Sequence, residues 1–255
     1  MVNTLLSTKN LSKHFGGLQA VNNVDFAVTA GEIHAVIGPN GAGKTTFLSL
    51  LAGELTATNG SIHFADKNIS HLSMAQRALC GLNRTFQINS LFLNLTVREN
   101  IMLAVQARQN HNFKFWQAPN DNHKLKQQAE KILAQNNLQI LADAPTQQLS
   151  YGQQRQLEIA LGVAGEPKLL LLDEPLAGLD AAGSHEMIAR LRTLKTQHNF
   201  TLVLVEHDMD AVFALADRIS VLNHGCIIAT GTPAEIRNHS EVRAAYLGGA
   251  SLGAK

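Results

Sequence analysis

The stretch from Gly38 to Thr46 reads GPNGAGKTT, and the apolar run IHAVIG at residues 33–38 leads into it. An apolar strand, a glycine-rich loop and a helix opening at Lys44 match the P-loop pattern in full. In such a loop the backbone amides surround phosphate groups, the lysine contacts the β and γ oxygens, and the next hydroxyl binds Mg²⁺. The sequence therefore predicts a nucleoside triphosphate site formed by Gly38, Asn40, Gly41, Ala42, Gly43, Lys44, Thr45 and Thr46.

Two adjacent carboxylates follow a second apolar run, four leucines at residues 169–172. Ligands of open α/β sheets bind at the carboxyl edge of the strands, where these carboxylates would lie. We expect Asp173 to join Thr45 in binding Mg²⁺. Glu174 is the expected general base or water-orienting residue. His207 ends a third apolar run, LVLVEH, at the same edge, and we expect it to hydrogen-bond the γ-phosphate.

The distribution of apolar residues predicts an α/β fold with a mostly parallel central sheet. Alternation over residues 24–28 is typical of antiparallel strands with one solvated face. From Gln87 to Leu149 the chain is rich in Gln, Asn and Lys and reads as helices, one of them opening with a capping box at Thr96. A second capping box, at Thr232, predicts the start of the final helix. The chain thus reads as one α/β core with a helical insertion.

A second helix start resembles an anion site. The stretch LSYGQQR at residues 149–155 places Ser150 three residues before Gln153, the spacing of a capping box, and Gly152 allows close approach of a ligand to the backbone. Free amides and the helix dipole at such an end favour an anion. The residues alone do not say why a chain with a P-loop carries this second site.

The composition argues against nucleic acid, anionic lipid and metal ions as general partners. The formal net charge is +1, from 21 basic and 20 acidic residues, so the chain has no general attraction for nucleic acid or anionic lipid. Cys80 and Cys226 have no metal-like spacing and are expected to be reduced thiols. The 11 histidines form no pair at metal-ligand spacing. Without a long apolar run, the chain is expected to be soluble when isolated.

Six motifs in this order resemble the ATP-binding cassette (ABC) family over nearly the whole chain. They are GPNGAGKTT, TFQ, LSYGQQR, LLLLDEP, AGLD and EHD. The resemblance implies a P-loop NTPase fold of ABC ATPase type with an antiparallel β subdomain and a helical insertion. The core and β subdomain would comprise residues 1–86 and 164–255, and the helical subdomain residues 87 to about 163.

The resemblance also implies roles for single residues, with ATP as the nucleotide and Mg²⁺ as the metal. Phe15 would stack on adenine, and Gln87 would sense Mg²⁺ and water while linking core and helical insertion. Two cassettes of this family close head to tail, so the signature residues Ser150, Tyr151, Gly152 and Gln153 would contact the nucleotide of the opposite subunit. Asp180 would communicate across the dimer.

Longer stretches, including GLNRTFQ, LSYGQQRQLEIA and LVEHDMDAV, resemble the ATPase of the high-affinity branched-chain amino-acid uptake system. Tyr151, where most cassettes carry a second glycine, also occurs in that group. The resemblance implies an ATPase that dimerises with itself or a paralogue and docks on two permease subunits at the cytoplasmic face of the membrane. An extracytoplasmic solute-binding protein would be an indirect partner.

Three other kinds of protein share some of these motifs. The ATPase of a urea-type or other small-solute importer is the nearest. A soluble ABC ATPase acting on DNA or ribosomes usually carries a long coiled coil, a zinc-hook Cys-x-x-Cys or two cassettes, and this chain has none of these. A module that binds nucleotide without hydrolysis would have lost Glu174 or His207, and both are present.

Overall fold

The computed structural model of the protein describes residues 3–85, 91–108 and 119–247, and a six-stranded sheet lies at its centre. Its strands are β3 (Ile33–Ile37), β6 (Leu82–Arg84), β7 (Leu169–Asp173), β8 (Thr201–Val205), β9 (Arg218–Asn223) and β10 (Cys226–Gly231). The spatial order is β10-β9-β3-β8-β7-β6, and all neighbours are parallel except the β9–β10 hairpin. Every residue of β3, β7 and β8 is buried, as expected for apolar strands covered on both faces. The predicted mostly parallel sheet is confirmed.

A second sheet is antiparallel and packs over α1 (Lys44–Ala52). In the order β2-β1-β4-β5 its strands are β1 (Thr4–Phe15), β2 (Leu18–Thr29), β4 (Asn59–Phe64) and β5 (Lys67–Asn68). Alternate residues of β2, among them Val24, Phe26 and Val28, are buried. Phe26 meets Phe47 of α1 edge to face, with 5.2 Å between ring centroids. These contacts confirm the predicted antiparallel β subdomain.

Helices from the C-terminal half cover the other face of the central sheet. They are α6 (Ala181–His198), α7 (Met209–Leu215), α8 (Pro233–Asn238) and α9 (Ser240–Leu247). Apolar residues of these helices pack with the odd-numbered positions of β3 and with Leu170 and Leu172 of β7. The prediction that the helix capped by Thr232 is the final one is wrong, because α9 follows it.

The remaining helices lie between β5 and β7. They are α2 (Met74–Leu79), α3 (Val97–Arg108), α4 (Pro119–Gln135) and α5 (Tyr151–Ala164). The predicted capping box of α3 is present, because the Thr96 amide donates to Glu99 Oε2 at 2.8 Å and the Glu99 amide to Thr96 Oγ1 at 3.2 Å. Helices α3, α4 and α5 share an apolar core that includes Ile101, Leu133 and Leu157.

Helix α5 also contributes Ile159 and Val163 to the core beneath the central sheet. It therefore belongs to both packing units and joins the helical insertion to the sheet. The division of the chain at residues 87 and 163 remains a prediction. Over the described ranges, no helix combines the length and the apolar character needed to cross a membrane.

Candidate nucleotide site

The glycine-rich loop connects β3 to α1 and is confined by its neighbours. Gly43 has a φ of +100°, and a Cβ added there would lie 2.2 Å from the carbonyl oxygen of Ala20. A Cβ on Gly38 would lie 2.1 Å from the carbonyl oxygen of Leu222. Only glycine fits these positions, because any side chain would collide with backbone that cannot swing away.

Lys44, the first residue of α1, folds back over this loop. Its Nζ donates to the carbonyl oxygens of Gly38 at 2.8 Å and Pro39 at 3.0 Å. Burial lowers the pKa of the Lys44 ammonium, while the charges of Glu174 and Asp173 act in the opposite direction. The cation is therefore held in place by neutral peptide oxygens, partners that an anion can replace at modest cost.

A cavity of about 410 Å³ opens over the loop. It brings together three residues predicted from separate parts of the sequence, namely Lys44, Glu174 and His207. The other lining residues include two short segments that sequence reasoning missed, the start of β2 and the β9–β10 turn. In full, the lining is Leu18, Gln19, Ala20, residues 40–46, Glu174, His207, His224 and Gly225.

Phe15 does not line this cavity. It ends β1, is 45% exposed, and has the ammonium of Lys13 5.1 Å from its ring centroid. Lys13 also donates to the carbonyl oxygen of Thr56 at 2.8 Å. A cation thus lies over the aromatic ring, a favourable arrangement that orients Phe15 near the surface.

Asp173 closes the inner side of the site at the end of β7. It is only 5% exposed, and its Oδ2 accepts from Arg84 Nη2 at 2.8 Å. Its Oδ1 is buried and has no hydrogen-bond partner among the described residues. Burial raises the pKa of this carboxyl, and the charge of Arg84 opposes the increase. A buried carboxylate oxygen without a partner is the kind of atom that a cation would satisfy.

Arg84 was missed by sequence reasoning. From β6 its Nη1 donates to Ser49 Oγ at 2.7 Å and to Glu54 Oε2 at 2.5 Å, so one guanidinium joins the end of α1 to Asp173. The only local signal was a basic residue just before the TFQ motif. Gln87 of that motif lies outside the described residues.

Glu174 and His207 form a pair. His207 Nε2 lies 2.7 Å from Glu174 Oε1. The sequence predicts a hydrogen bond from His207 to the γ-phosphate and does not predict this contact with Glu174. Beneath the pair, the buried carboxylate of Glu206 accepts from the amides of Leu176 at 2.7 Å and His207 at 3.1 Å, which ties the two strand ends together.

The signature stretch lies outside this cavity. Ser150 caps α5 reciprocally, its amide donating to Gln153 Oε1 at 2.9 Å and the Gln153 amide to Ser150 Oγ at 3.4 Å. The predicted capping box is therefore confirmed.

Tyr151 is 40% exposed, and its ring lies over Gly178. Asp180 caps α6 through a 2.8 Å bond from the Gly183 amide. None of these residues lines the cavity over the chain's own P-loop.

The fold and the loop together define a P-loop nucleotide-binding protein. The family model described as "ABC transporter" matches residues 21–177, and a second, described as "Branched-chain amino acid ATP-binding cassette transporter", matches residues 226–251. The chain belongs to the ABC transporter family, and its fold is that of an ABC ATPase.

Named relatives match almost end to end. A high-affinity branched-chain amino acid transport ATP-binding protein, LivG of Escherichia coli, is 40% identical over 97% of this chain and 99% of its own. BraF of Pseudomonas aeruginosa, which carries the same description, is 38% identical over 97% and 99%. A crystal structure of a nucleotide-free ATP-binding cassette from an ABC transporter superposes with a TM-score of 0.84 at 29% identity, covering 95% of this chain and 98% of that one.

Proposed function

We propose that this chain is the ATP-binding and ATP-hydrolysing subunit of an importer for branched-chain or related amino acids. The observation that carries the proposal is end-to-end similarity to LivG and BraF, in a chain whose P-loop, Glu174 and His207 converge on one cavity. The second family model, over residues 226–251, favours the amino-acid importer over the urea-type alternative.

ATP binding uses the loop and its lysine. The amides of residues 40–46 surround the phosphates, and Lys44 exchanges the carbonyls of Gly38 and Pro39 for β and γ oxygens. Because Lys44 already lies over the loop, this exchange needs only a side-chain movement. Phe15, at the end of β1, stacks on adenine with the face of its ring that Lys13 leaves open.

The residues present fit Mg²⁺. Asp173 offers a buried oxygen with no partner in the described chain, and Thr45 contributes a hydroxyl from the first turn of α1. Gln87 is the third proposed ligand. The described residues contain no group of three His, Cys, Asp or Glu side chains suited to a metal, so phosphate oxygens would complete the coordination. When bound, Mg²⁺ supplies charge neutralisation at the β and γ phosphates.

Hydrolysis depends on Glu174 and His207. The Glu174 carboxylate orients the attacking water and accepts its proton. His207 Nε2 fixes one Glu174 oxygen, which limits the orientations of the carboxylate. When ATP is present, the same N–H donates to the γ-phosphate instead. Lys44 stabilises the negative charge that accumulates on the transferred phosphoryl group.

A complete site needs a second subunit. Ser150, Tyr151, Gly152 and Gln153 line no part of this chain's own phosphate cavity, so we assign them to the γ-phosphate of an opposing cassette. The capped start of α5 offers that phosphate free amides and the positive end of the helix dipole. Asp180, at the start of α6, communicates across the same interface. The partner is an identical chain or a related ATPase.

The assembled importer places this dimer on two permease subunits at the cytoplasmic face of the inner or plasma membrane. The helical insertion is the proposed docking surface, with Gln87 linking it to the nucleotide site. A solute-binding protein on the opposite side delivers the amino acid to the permeases, and no nucleic acid takes part. The coupling between ATP site and docking surface is a two-state closure of the dimer.

Uptake of radiolabelled leucine into proteoliposomes tests the proposal. The vesicles contain this chain and the permease subunits of a branched-chain amino-acid importer, with ATP inside and the binding protein outside. We expect ATP-dependent leucine uptake with the parent chain and none with Glu174→Gln. Transport of urea with no transport of leucine would overturn the substrate assignment, while uptake that persists with Glu174→Gln would overturn the role of the ATPase.

A further inference from the structure

Arg155, in the second turn of α5, is directed into the protein and is only 5% exposed. Its Nη2 donates to the backbone carbonyl oxygen of Glu174 at 2.7 Å. Its Nη1 donates to Glu158 Oε2, also at 2.7 Å, one turn along the same helix. Helix α5, which begins with the signature residues, therefore holds the main chain of Glu174 directly.

Stability does not explain this arrangement. Glu158 is 3% exposed, and burial raises the pKa of its carboxyl although Arg155 faces it. Within the described part of the chain, Arg155 Nε and Glu158 Oε1 are buried without hydrogen-bond partners. A buried ion pair with unmet polar atoms contributes little to stability, because desolvation offsets the attraction. What the pair supplies is a guanidinium fixed in one orientation, aimed at the Glu174 carbonyl.

The backbone of Glu174 needs such support. Its φ is +48°, in the left-handed region, which costs a residue other than glycine about 1 kcal/mol or more. Its amide donates to the Val205 carbonyl oxygen at 2.9 Å, so β8 holds one side of the residue and α5 the other. Strained conformations of this kind persist where the surroundings fix them from several directions.

We propose that Arg155 is a positioning residue that couples the signature turn of this chain to its own Glu174. The coupling rests on the function proposed above, in which Ser150 contacts the partner's ATP. When α5 closes on that nucleotide, Arg155 carries the movement to the Glu174 backbone. Engagement of a chain's signature turn at one site of the dimer then favours the hydrolytic geometry of Glu174 of the same chain at the other site.

A second contact follows the same path. The ring of Tyr151 lies over Gly178, and a Cβ added to Gly152 would lie 3.6 Å from Leu179 Cδ2. The first turn of α5 thus packs on the loop that follows Glu174, while Arg155 holds the start of that loop. These contacts join the first turns of α5 to the loop, a connection that the proposed coupling between the signature turn and Glu174 requires.

Steady-state ATP hydrolysis by the full-length double variant Arg155→Met/Glu158→Met tests the proposal. The double substitution removes both buried charges together and leaves neither unpaired, so the melting temperature is expected to match or exceed that of the parent. We expect kcat to fall by about 100-fold because the carboxylate is misplaced, with KM for ATP and binding of a fluorescent ATP analogue unchanged. A parent-like kcat, or a loss confined to KM, would overturn the proposal.

Arg190→Met is the matched control. Arg190 also pairs with a glutamate on its own helix, Glu186, and also donates to a backbone carbonyl oxygen, that of Asn136, but it does not touch the loop after β7. It should keep the parent kcat. Glu158→Gln, which retains the Arg155 donor, should keep most of it, and a loss as large as that of the double variant would show a merely structural effect and overturn the proposal.

If the double variant does not fold, Arg155→Lys gives the same comparison. A lysine keeps a charge opposite Glu158 but lacks the second guanidinium nitrogen, the one that donates to the Glu174 carbonyl. The kcat should therefore fall at constant KM, and an unchanged kcat overturns the proposal. Failure of the proposed ATPase activity is distinguishable, because the parent chain itself would then hydrolyse no ATP.

Discussion

His207 Nε2 lies 2.7 Å from Glu174 Oε1, so the residues that follow two neighbouring strands, β8 and β7, form one hydrogen-bonded unit beside the P-loop. The contact gives the glutamate a defined orientation. It also means that neither side chain can be removed without releasing the other.

This pairing predicts non-additive losses of activity. Glu174→Gln and His207→Ala should each lower kcat by about 100-fold or more, since general-base catalysis contributes about that much. The double variant should be little slower than the worse single variant, because residues that act as a unit are not additive. Steady-state ATP hydrolysis by the four proteins measures the cycle, and multiplicative losses would show that the two residues act independently.

The contact between Tyr151 and Gly178 predicts a steric cost. A Cβ on Gly178 would lie 2.9 Å from Tyr151 Cε1, and the φ of +78° disfavours any other residue. Gly178→Ala should reduce the free energy of unfolding by about 1 to 3 kcal/mol, as measured in urea. Gly16→Ala is the control, because Gly16 has a φ of +58° with nothing within 4 Å of an added Cβ.

Adding Tyr151→Ala separates the two causes. Removal of the ring should recover the steric part of the Gly178→Ala cost and leave only the backbone part, similar to that of Gly16→Ala. If Gly178→Ala costs as much with Tyr151→Ala as without it, the ring does not set the loop position.

Arg84 links Ser49, Glu54 and Asp173, and its removal should destabilise the fold. Arg84→Met leaves the buried Asp173 carboxylate without its donor, so we expect a loss of about 3 kcal/mol in the free energy of unfolding. Arg98→Met is the control, because the side chains of its partners Asp143 and Glu130 are 83% and 45% exposed and such surface pairs contribute little to stability. Equal losses in the two variants would argue against a structural role for the Arg84–Asp173 pair.

The raised pKa of Glu158 predicts how the free energy of unfolding depends on pH. Burial raises the pKa of its carboxyl in the folded chain, so its contribution to stability is complete below the ordinary glutamate value of about 4.3 and is lost as pH rises through the folded pKa. Glu158→Gln removes this loss. The free energy of unfolding of the variant, relative to the parent, should therefore increase as pH is raised from about 4 to about 7.

Glu235→Gln provides a control of opposite sign. Hydrogen bonds from the amide and hydroxyl of Thr232 hold the pKa of Glu235 below its usual value, so its contribution to stability is present above the ordinary pKa and lost as pH falls. The stability of that variant relative to the parent should decrease as pH rises. The free energy of unfolding of each variant is measured by urea unfolding at several pH values. If both variants change in the same direction relative to the parent, one of the two pKa directions is wrong.

Local patterns in the sequence were enough to predict much of the fold. The apolar runs of β3, β7 and β8, the P-loop and the caps at Thr96 and Ser150 are each encoded within about ten residues. The convergence of Lys44, Glu174 and His207 also followed, because parallel strands bring their carboxyl ends to one edge.

The remaining features depend on contacts between distant residues. Arg84 meets Asp173 across 89 positions, and Arg155 meets the Glu174 carbonyl across 19. These residues lie in sequence motifs, but the motifs do not indicate that they touch. The Glu174–His207 hydrogen bond depends on side-chain orientation as well as strand order. Helix α9 was missed because only His239 separates it from α8, with no glycine or proline to mark a new element.

Mixing two inactive chains tests the composite site most directly. Lys44→Ala disables the chain's own P-loop, and Ser150→Glu disables the turn that we propose serves the opposing nucleotide. In a mixed dimer, the intact P-loop of the Ser150→Glu chain faces the intact signature turn of the Lys44→Ala chain, so one whole site forms. We predict that the mixture hydrolyses ATP faster than the two separate preparations together, whereas a mixture that never exceeds their sum would contradict the composite site.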